Sequence, residues 1–298
     1  MSVVVTNNLT KRYGRRVGIE DVSITVGQGE VFGFLGPNGS GKTTTIRLLL
    51  GLLRPTSGES SIFDLDCWRA TKQIKEDIGY LPGDLRLYAN STGRDMLRVF
   101  GAIRGRDLLT FGNVLADRFE LEMNVSVRRM SRGMRQKLGL IIALAHKPKL
   151  IILDEPTASL DPLMQEQLMQ LLREFASDGH TVFFSSHTLS EVERLCDRVA
   201  IVREGKIVAD ESLATLKALA KRDVTIKWKL GTDIPDVPNF LDLYQSANKD
   251  HLWQATLDGS VNELLDWLHG RGYDDFAVGH PDLESLFRRF YEKERVAK

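Results

Sequence analysis

VFGFLGPNGSGKTT, residues 31–44, is the stretch of sequence that decides the fold. The apolar residues Val31–Leu35 indicate a buried strand, and the segment that follows has the spacing of a helix. The turn between them fits G-x-x-x-x-G-K-[ST], a pattern in which glycines let backbone N–H groups curl around phosphate oxygens. The helix N-terminus adds a partial positive charge. The predicted phosphate-binding residues are Gly36, Pro37, Asn38, Gly39, Ser40, Gly41, Lys42, Thr43 and Thr44.

Two side chains of this loop have individual chemistry. The amine of Lys42 can reach the β- and γ-phosphates of a nucleotide, and the hydroxyl of Thr43 can ligate Mg²⁺. The pattern indicates a P-loop nucleoside triphosphatase, a class that includes kinases, GTPases and motors. Other parts of the chain must decide among them.

A second apolar run ends in two acids. Leu150–Leu153 predicts a buried strand, and Asp154 and Glu155 follow it directly. Burial of that strand brings both carboxylates to the edge of the sheet where such folds bind ligands. We expect Asp154 to hold Mg²⁺ and Glu155 to act as the general base toward water. His187 follows another predicted strand that ends at the same edge, and we expect it to contact the γ-phosphate.

Further strands and helices alternate along the chain, which favours a parallel sheet covered on both faces. Glu204 and Gly205 indicate a hairpin turn. Helical spacing is predicted within Asp84–Gly101 and Met130–Ala145. Other predicted strands are Val3–Val5, Val22–Val26, Val182–Phe184, Val199–Val202 and Lys206–Val208.

The pattern changes near Lys221. Beyond it, Val224, Ile226, Trp228 and Leu230 alternate with polar residues, which predicts a half-buried strand. Two later segments have helical spacing, one at 261–268 and one at 283–290. This tail has enough apolar residues for a small α+β domain, whose core we expect to contain Trp228, Trp253 and Trp267.

Bulk composition limits the partners. Lysine plus arginine and aspartate plus glutamate both number 40, so the balance gives no sign of a face built for nucleic acid. Cys67 and Cys196 match no metal-ligand spacing and are expected to be buried or free thiols. The N-terminal residues lack a signal-peptide pattern, and no apolar run approaches the roughly 20 residues of a spanning helix. We therefore expect any membrane role to depend on a partner.

MSRGMRQK, residues 130–137, resembles the LSGGQ signature of the nucleotide-binding domains of ABC transporters. Ser159–Asp161 is similar to the D-loop of that family, and His187 to its switch histidine. Tyr13 matches the aromatic residue that stacks on adenine. The resemblance covers about residues 3–215.

The resemblance implies the fold class α/β, with a P-loop NTPase core, an antiparallel β subdomain and a helical subdomain at about residues 84–145. It assigns residues 1–220 to the ATP-binding domain and leaves 221–298 as a small α+β accessory domain. It also implies that ATP and Mg²⁺ bind the phosphate loop of one subunit. Ser131 and Gly133 of a second subunit, expected to be an identical copy, then cover the nucleotide.

Two positions depart from the family pattern. Arg132 replaces a signature glycine and either adds charge near the partner's nucleotide or faces solvent. Gly83 stands where the family has a glutamine that ligates Mg²⁺, so Asp84, one residue later, is a candidate substitute. The turnover rate and the coupling depend on this substitution, whereas ATP binding does not.

The form of the signature resembles the exporter branch that carries drugs, lipids or polysaccharide, and DLESLF, residues 282–287, resembles the C-terminal ending of that branch. We therefore expect an ATPase that drives a separate membrane permease. It would lie in the cytoplasm, on the inner face of the membrane, and bind no nucleic acid. Two alternatives stay open, namely a soluble ABC ATPase acting on DNA or ribosomes and a non-hydrolytic sensing or resistance module.

Overall fold

The computed structural model describes residues 1–230, 236–247 and 252–292. The chain divides into two compact units, Met1–Asp210 and Glu211–Lys298. The boundary expected between residues 220 and 221 therefore lies earlier in the chain. Its position follows from the helix Leu213–Leu219, which contacts the last helix of the second unit.

The first unit contains ten strands and seven α-helices. The strands are β1 (Ser2–Tyr13), β2 (Arg16–Gly27), β3 (Val31–Leu35), β4 (Ser57–Ile62), β5 (Leu65–Asp66), β6 (Ile78–Leu81), β7 (Leu150–Asp154), β8 (Thr181–Ser186), β9 (Arg198–Arg203) and β10 (Lys206–Ser212), whose last two residues pass the boundary. The helices are α1 (Lys42–Leu49), α2 (Thr71–Glu76), α3 (Gly93–Arg104), α4 (Leu109–Arg118), α5 (Arg132–Leu144), α6 (Pro162–Ser177) and α7 (Leu189–Leu195). All the strands predicted for this unit are confirmed.

Two sheets make up this unit. One is antiparallel, with the order β2-β1-β4-β5, and the other has six strands in the order β10-β9-β3-β8-β7-β6. In the second sheet β3 pairs in parallel with β8 and β9, and β7 pairs in parallel with β6 and β8. The parallel strands therefore deliver their carboxyl ends to one edge. All five residues of both β3 and β7 are buried, as the continuous apolar runs predict.

Capping residues set where the helices of this unit begin. Thr92 caps α3 in a capping box with Asp95, so residues 84–92 precede the helix and α3 occupies the second half of the predicted stretch Asp84–Gly101. Ser131 caps α5 by accepting a hydrogen bond from the backbone N–H of Met134. The hairpin turn is confirmed, because Glu204 and Gly205 both have positive φ angles between β9 and β10.

In the described part of the second unit, an antiparallel sheet is paired with three helices. Its elements are α8 (Leu213–Leu219), β11 (Arg222–Trp228), β12 (Leu241–Ala247), β13 (Leu252–Leu257), α9 (Val261–Leu268), β14 (Tyr273–Pro281) and α10 (Leu283–Glu292). The sheet order is β12-β13-β11-β14. Leu230 lies beyond the end of β11 with 88% of its surface exposed, so its assignment to a half-buried strand is wrong.

The expected tryptophan core of this unit is confirmed. Trp228 and Trp253 are buried, Trp267 packs against them, and their ring centroids are 5.4 to 6.5 Å apart. In the first unit Cys67 and Cys196 are both free and buried, as expected. Across the described residues, the helices are too short or too polar to cross a bilayer.

Candidate nucleotide-binding site

The loop between β3 and α1 has the shape that phosphate binding requires. Gly41 has a φ of +112°, which disfavours a side chain, and a Cβ atom at Gly36 would lie only 2.3 Å from the carbonyl oxygen of Val202. Glycine is therefore required at both positions. The helix α1 begins at Lys42, so its N-terminal N–H groups face the space enclosed by the loop.

The amine of Lys42 is folded back onto its own loop. Its Nζ donates to the carbonyl oxygens of Gly36 at 2.7 Å and Pro37 at 3.2 Å, and only 5% of the side chain is exposed. The same Nζ lies 3.1 Å from Oε1 of Glu155. The positive charge of Lys42 is thus balanced by the carboxylate of Glu155.

Asp154 is held by two hydroxyl groups from different elements. Thr43 Oγ1 donates to Oδ2 at 2.8 Å, and Ser185 Oγ donates to Oδ1 at 2.7 Å. Asp154 is only 2% exposed, so both of its carboxylate oxygens depend on these partners. The negative charge of Asp154 also affects Tyr80, a nearby residue. The pKa of Tyr80 is raised to about 12, mainly because its side chain is buried and then because of that charge.

Glu155 lies between Lys42 and His187. Its Oε2 is 3.3 Å from Nδ1 of His187, while Oε1 faces Lys42. Glu155 has a φ of +51°, an uncommon conformation for a residue with a side chain, and it follows β7 directly. The side chain of His187 is half-exposed after β8. The two residues can therefore contact a ligand that enters from solvent.

A cleft of about 470 Å³ opens over the phosphate loop. Tyr13, at the end of β1, contributes to its wall with 45% of its surface exposed. Asn38, Lys42 and Glu155 line the same cleft. An aromatic face, a phosphate cradle and an acidic group are thus arranged around one space of nucleotide size.

Arg16 and Arg47 also line this cleft, although neither is among the predicted site residues. Each has a signal that could have revealed it. Arg47 follows Thr43 by one helical turn, and Arg16 pairs directly with Tyr13 across the β1–β2 hairpin.

Ser131 and Gly133, at the start of α5, are not part of the cleft lining. Gly133 instead lies against the D-loop, where an added Cβ atom would be 2.9 Å from the carbonyl oxygen of Ser159. The side chain of Gln136 on α5 donates to the carbonyl oxygen of Pro156 at 2.8 Å. The signature segment is thus fixed to the loop that follows Glu155, and Arg132 is exposed beside it.

The structure does not bring Asp84 to Thr43 and Asp154, the predicted metal ligands. Its carboxylate, 75% exposed, pairs with the guanidinium of Arg86 at 3.0 Å. The residue that approaches Asp154 is Gly83, where an added Cβ atom would be 3.5 Å from Oδ2. The suggestion that Asp84 substitutes for the family glutamine is therefore wrong in this arrangement, because the position facing Asp154 carries no side chain.

A phosphate loop after β3, two acids at the end of β7 and a half-exposed histidine after β8, the strand between them, define a P-loop nucleoside triphosphatase. The family model described as ABC transporter matches residues 19–158. The chain is 40% identical over 222 residues to the bacitracin transport ATP-binding protein BcrA of Bacillus licheniformis, with 72% of each chain covered. It belongs to the ABC transporter family as an ATP-binding subunit, and it is an ATPase.

Two further comparisons extend this result. The ABC transporter ATP-binding protein YhaQ of Bacillus subtilis is 31% identical over 304 residues, covering 96% of this chain and 97% of its own. Because the alignment covers 96% of this chain, the likeness to YhaQ includes most of the second unit.

Among solved structures, the dimeric post-hydrolysis cassette MJ0796 bound to ADP and Pi has a TM-score of 0.65 and 26% identity. The match covers 70% of this chain and 98% of that cassette.

Proposed function

We propose that ATP binds in the cleft with its phosphates on residues 36–43 and its adenine against Tyr13. The observation that carries the proposal is the cluster of Lys42, Asp154, Glu155 and His187 around the loop. Lys42 exchanges Glu155 for phosphate oxygens when the nucleotide enters, because a triphosphate presents more negative charge than one carboxylate. Nucleotide binding thereby frees Glu155 for catalysis.

Thr43 and Asp154 are the residues that would hold Mg²⁺. A hydroxyl and a carboxylate are the oxygen ligands that this ion prefers, and their oxygens already lie 2.8 Å apart. The ion would neutralise charge on the β- and γ-phosphates. Glu155 then orients and deprotonates the attacking water, and His187 contacts the γ-phosphate.

A second copy of the chain completes the site. Ser131 and Gly133 lie at the N-terminus of α5, where a hydroxyl and free N–H groups favour an anion. Because they do not line this chain's own cleft, we propose that they cover the nucleotide of the partner copy. The dimeric form of the similar cassette bound to ADP and Pi supports this arrangement. Closure of the dimer on ATP and its opening after hydrolysis would supply the mechanical step.

A membrane permease would dock in a groove of about 400 Å³ in the first unit. The groove is mainly apolar and lies beside the Gly83 loop, α3 and α5. Its apolar walls include Tyr80, Leu85, Leu87, Phe100 and Ile142. An exposed groove of this kind favours an amphipathic helix from a partner. We propose that this partner holds the subunit on the cytoplasmic face of the membrane.

Export is the direction of transport that we propose. Similar proteins include the bacitracin transport protein and the linearmycin resistance protein LnrL of Bacillus subtilis, which is 33% identical over 210 residues. Their names suggest that cargoes of this branch include antibiotics, which a cell survives by removing them. The cargo of this chain depends on its permease.

Co-purification tests the permease proposal. The subunit is expected to carry a multi-span membrane protein through purification from detergent-solubilised membranes, with the partner identified by mass spectrometry. Leu87→Glu places a charge in the groove and should abolish the association. Val114→Glu, on an exposed position of α4 outside the groove lining, is the matched control and should retain it. Association with ribosomes or DNA instead would favour a soluble ABC machine.

A further inference from the structure

Ser185 contacts both of the acids that the hydrolysis needs. It pairs with Asp154 in the register of β7 and β8 and is fully buried, with 0% exposure. Its Oγ donates to Oδ1 of Asp154 at 2.7 Å and accepts a hydrogen bond from the backbone N–H of Glu155 at 3.2 Å. The hydroxyl group of Ser185 thus donates a hydrogen bond to the side chain of Asp154 and accepts one from the backbone of Glu155.

For Asp154, this hydroxyl is the partner with no proposed role as a metal ligand. The other hydroxyl on the carboxylate belongs to Thr43, whose lone pair is proposed to ligate the metal ion. Gly83 also lies next to Asp154, but as a glycine it has no side chain to contact the carboxylate. Ser185 therefore fixes Oδ1 of the carboxylate from β8, while Oδ2 faces Thr43.

For Glu155, the same residue stabilises a strained backbone. A φ of +51° at a residue with a side chain persists only where surrounding contacts hold it. The N–H of Glu155 donates to both the carbonyl oxygen and the Oγ of Ser185, each at 3.2 Å. Loss of the hydroxyl would remove one of these two acceptors at the point where the chain turns to present the general base.

We infer that Ser185 is a positioning residue for ATP hydrolysis, whose hydroxyl fixes the carboxylate of Asp154 and the backbone of Glu155 in the reactive arrangement. The inference rests on the proposed roles of those two acids. Ser185 acts through them and contacts neither nucleotide nor water in this scheme.

The test compares two buried hydroxyl groups of β8. Ser185→Ala is expected to lower kcat by about ten- to a hundredfold, the size of a lost hydrogen bond to a charged group, with KM for ATP within about threefold. Thr181→Ala, at the other end of the strand, also removes a buried hydroxyl bonded to backbone groups, those of Gly27 and Gly29. It should leave kcat and KM within about twofold, because it is remote from both acids.

A second readout does not depend on turnover. Electron paramagnetic resonance gives the affinity of the ATP complex for Mn²⁺, and Ser185→Ala should weaken it about tenfold because the orientation of Asp154 is lost. Ser185→Thr keeps the hydroxyl and should restore both kcat and Mn²⁺ affinity. Thermal unfolding shows whether a variant has lost kcat or Mn²⁺ affinity because it is unfolded.

The outcomes separate this inference from the function beneath it. A wild-type chain that hydrolyses no ATP would overturn both. An active wild type with an equally active Ser185→Ala protein, or equal kcat losses in Ser185→Ala and Thr181→Ala, would overturn the positioning role alone. A Ser185→Thr protein that melts with the wild type yet has the kcat of the alanine variant would contradict it as well.

Discussion

The two units of this chain bury different kinds of side chain. Both units combine β-sheets with helices, yet every buried polar or charged residue in the described part of the chain lies in the first unit. Several of them surround the phosphate loop, namely Ser40, Lys42, Asp154, Ser185 and Ser186. The buried residues of the second unit are apolar or aromatic, with Trp228 and Trp253 among them.

The difference indicates where chemistry has been built at the expense of stability. Burying a polar group is unfavourable unless each of its hydrogen bonds is made, so a cluster of such groups requires a functional reason. The first unit also has a backbone outlier at Glu155, within this cluster. Substitutions in the first unit should therefore change turnover, and substitutions in the tryptophan core should change stability.

The largest expected effect is on turnover. Glu155→Gln keeps the shape of the side chain but removes the base, so kcat should fall by about 10²–10⁴-fold. ATP binding should persist, because Lys42 is released from its ion pair with this carboxylate. Phosphate release and calorimetry measure the two quantities. Near-normal turnover would show that Glu155 is not the base and would remove the contrast between the units.

Trp228→Ala is the matching change in the second unit. The side chain is 1% exposed and touches Trp253 and Trp267, so its loss should lower the free energy of unfolding by about 3–5 kcal/mol. Denaturant unfolding followed by fluorescence measures this loss. ATP turnover at a temperature where the first unit stays folded should change less than about twofold. A loss of turnover without unfolding would assign catalytic work to the second unit.

Acidity should weaken the first unit through His146. Burial, and then the charge of Arg104, lower the pKa of His146 to about 4. Above pH 6.5 the histidine is neutral in both states, so stability does not change with its titration. As the pH falls toward 4, only the unfolded chain takes up this proton, and stability should fall by about 3 kcal/mol. His146→Gln should flatten this dependence, measured by unfolding at pH 7 and pH 4.5. If the variant keeps the wild-type dependence of stability on pH, His146 is not the group responsible.

The smallest expected effect concerns Gly83. A Cβ atom there meets Asp154 at 3.5 Å, an ordinary contact, so Gly83→Gln should fold and present an amide oxygen beside the carboxylate that we propose binds the metal ion. The Mg²⁺ concentration for half-maximal turnover should fall about threefold. Gly83→Ala adds the Cβ atom without the amide and should leave that concentration unchanged. Equal values for both variants would mean that position 83 does not reach the ion.

The sequence predicted the fold of the first unit because its signals are local. A buried parallel strand is a continuous apolar run, and the phosphate loop is a contiguous pattern. For this reason β3, β7 and α1 can be predicted from the sequence. Asp84 was misjudged because adjacent residues of a loop can face different ways, which no sequence spacing reveals. Leu230 was misjudged because alternation continues past the point where strand pairing ends.

The parts of the site that escaped prediction are formed by pairing across elements. Ser185 contacts Asp154 only through the register of β7 and β8, which no spacing along the chain reveals. Arg16 meets Tyr13 across a tight hairpin, and only the geometry of that turn brings the two residues together. In the second unit the tryptophan core was predictable, because large aromatic residues at strand and helix spacing have few alternatives to burial.

Light scattering of the Glu155→Gln protein with ATP and Mg²⁺ tests the central claim, that a nucleotide is clamped between two copies. We predict a particle with twice the mass of one chain. The double variant that also carries Lys42→Ala should keep the mass of one chain. A particle that keeps the mass of one chain at saturating ATP would contradict the account.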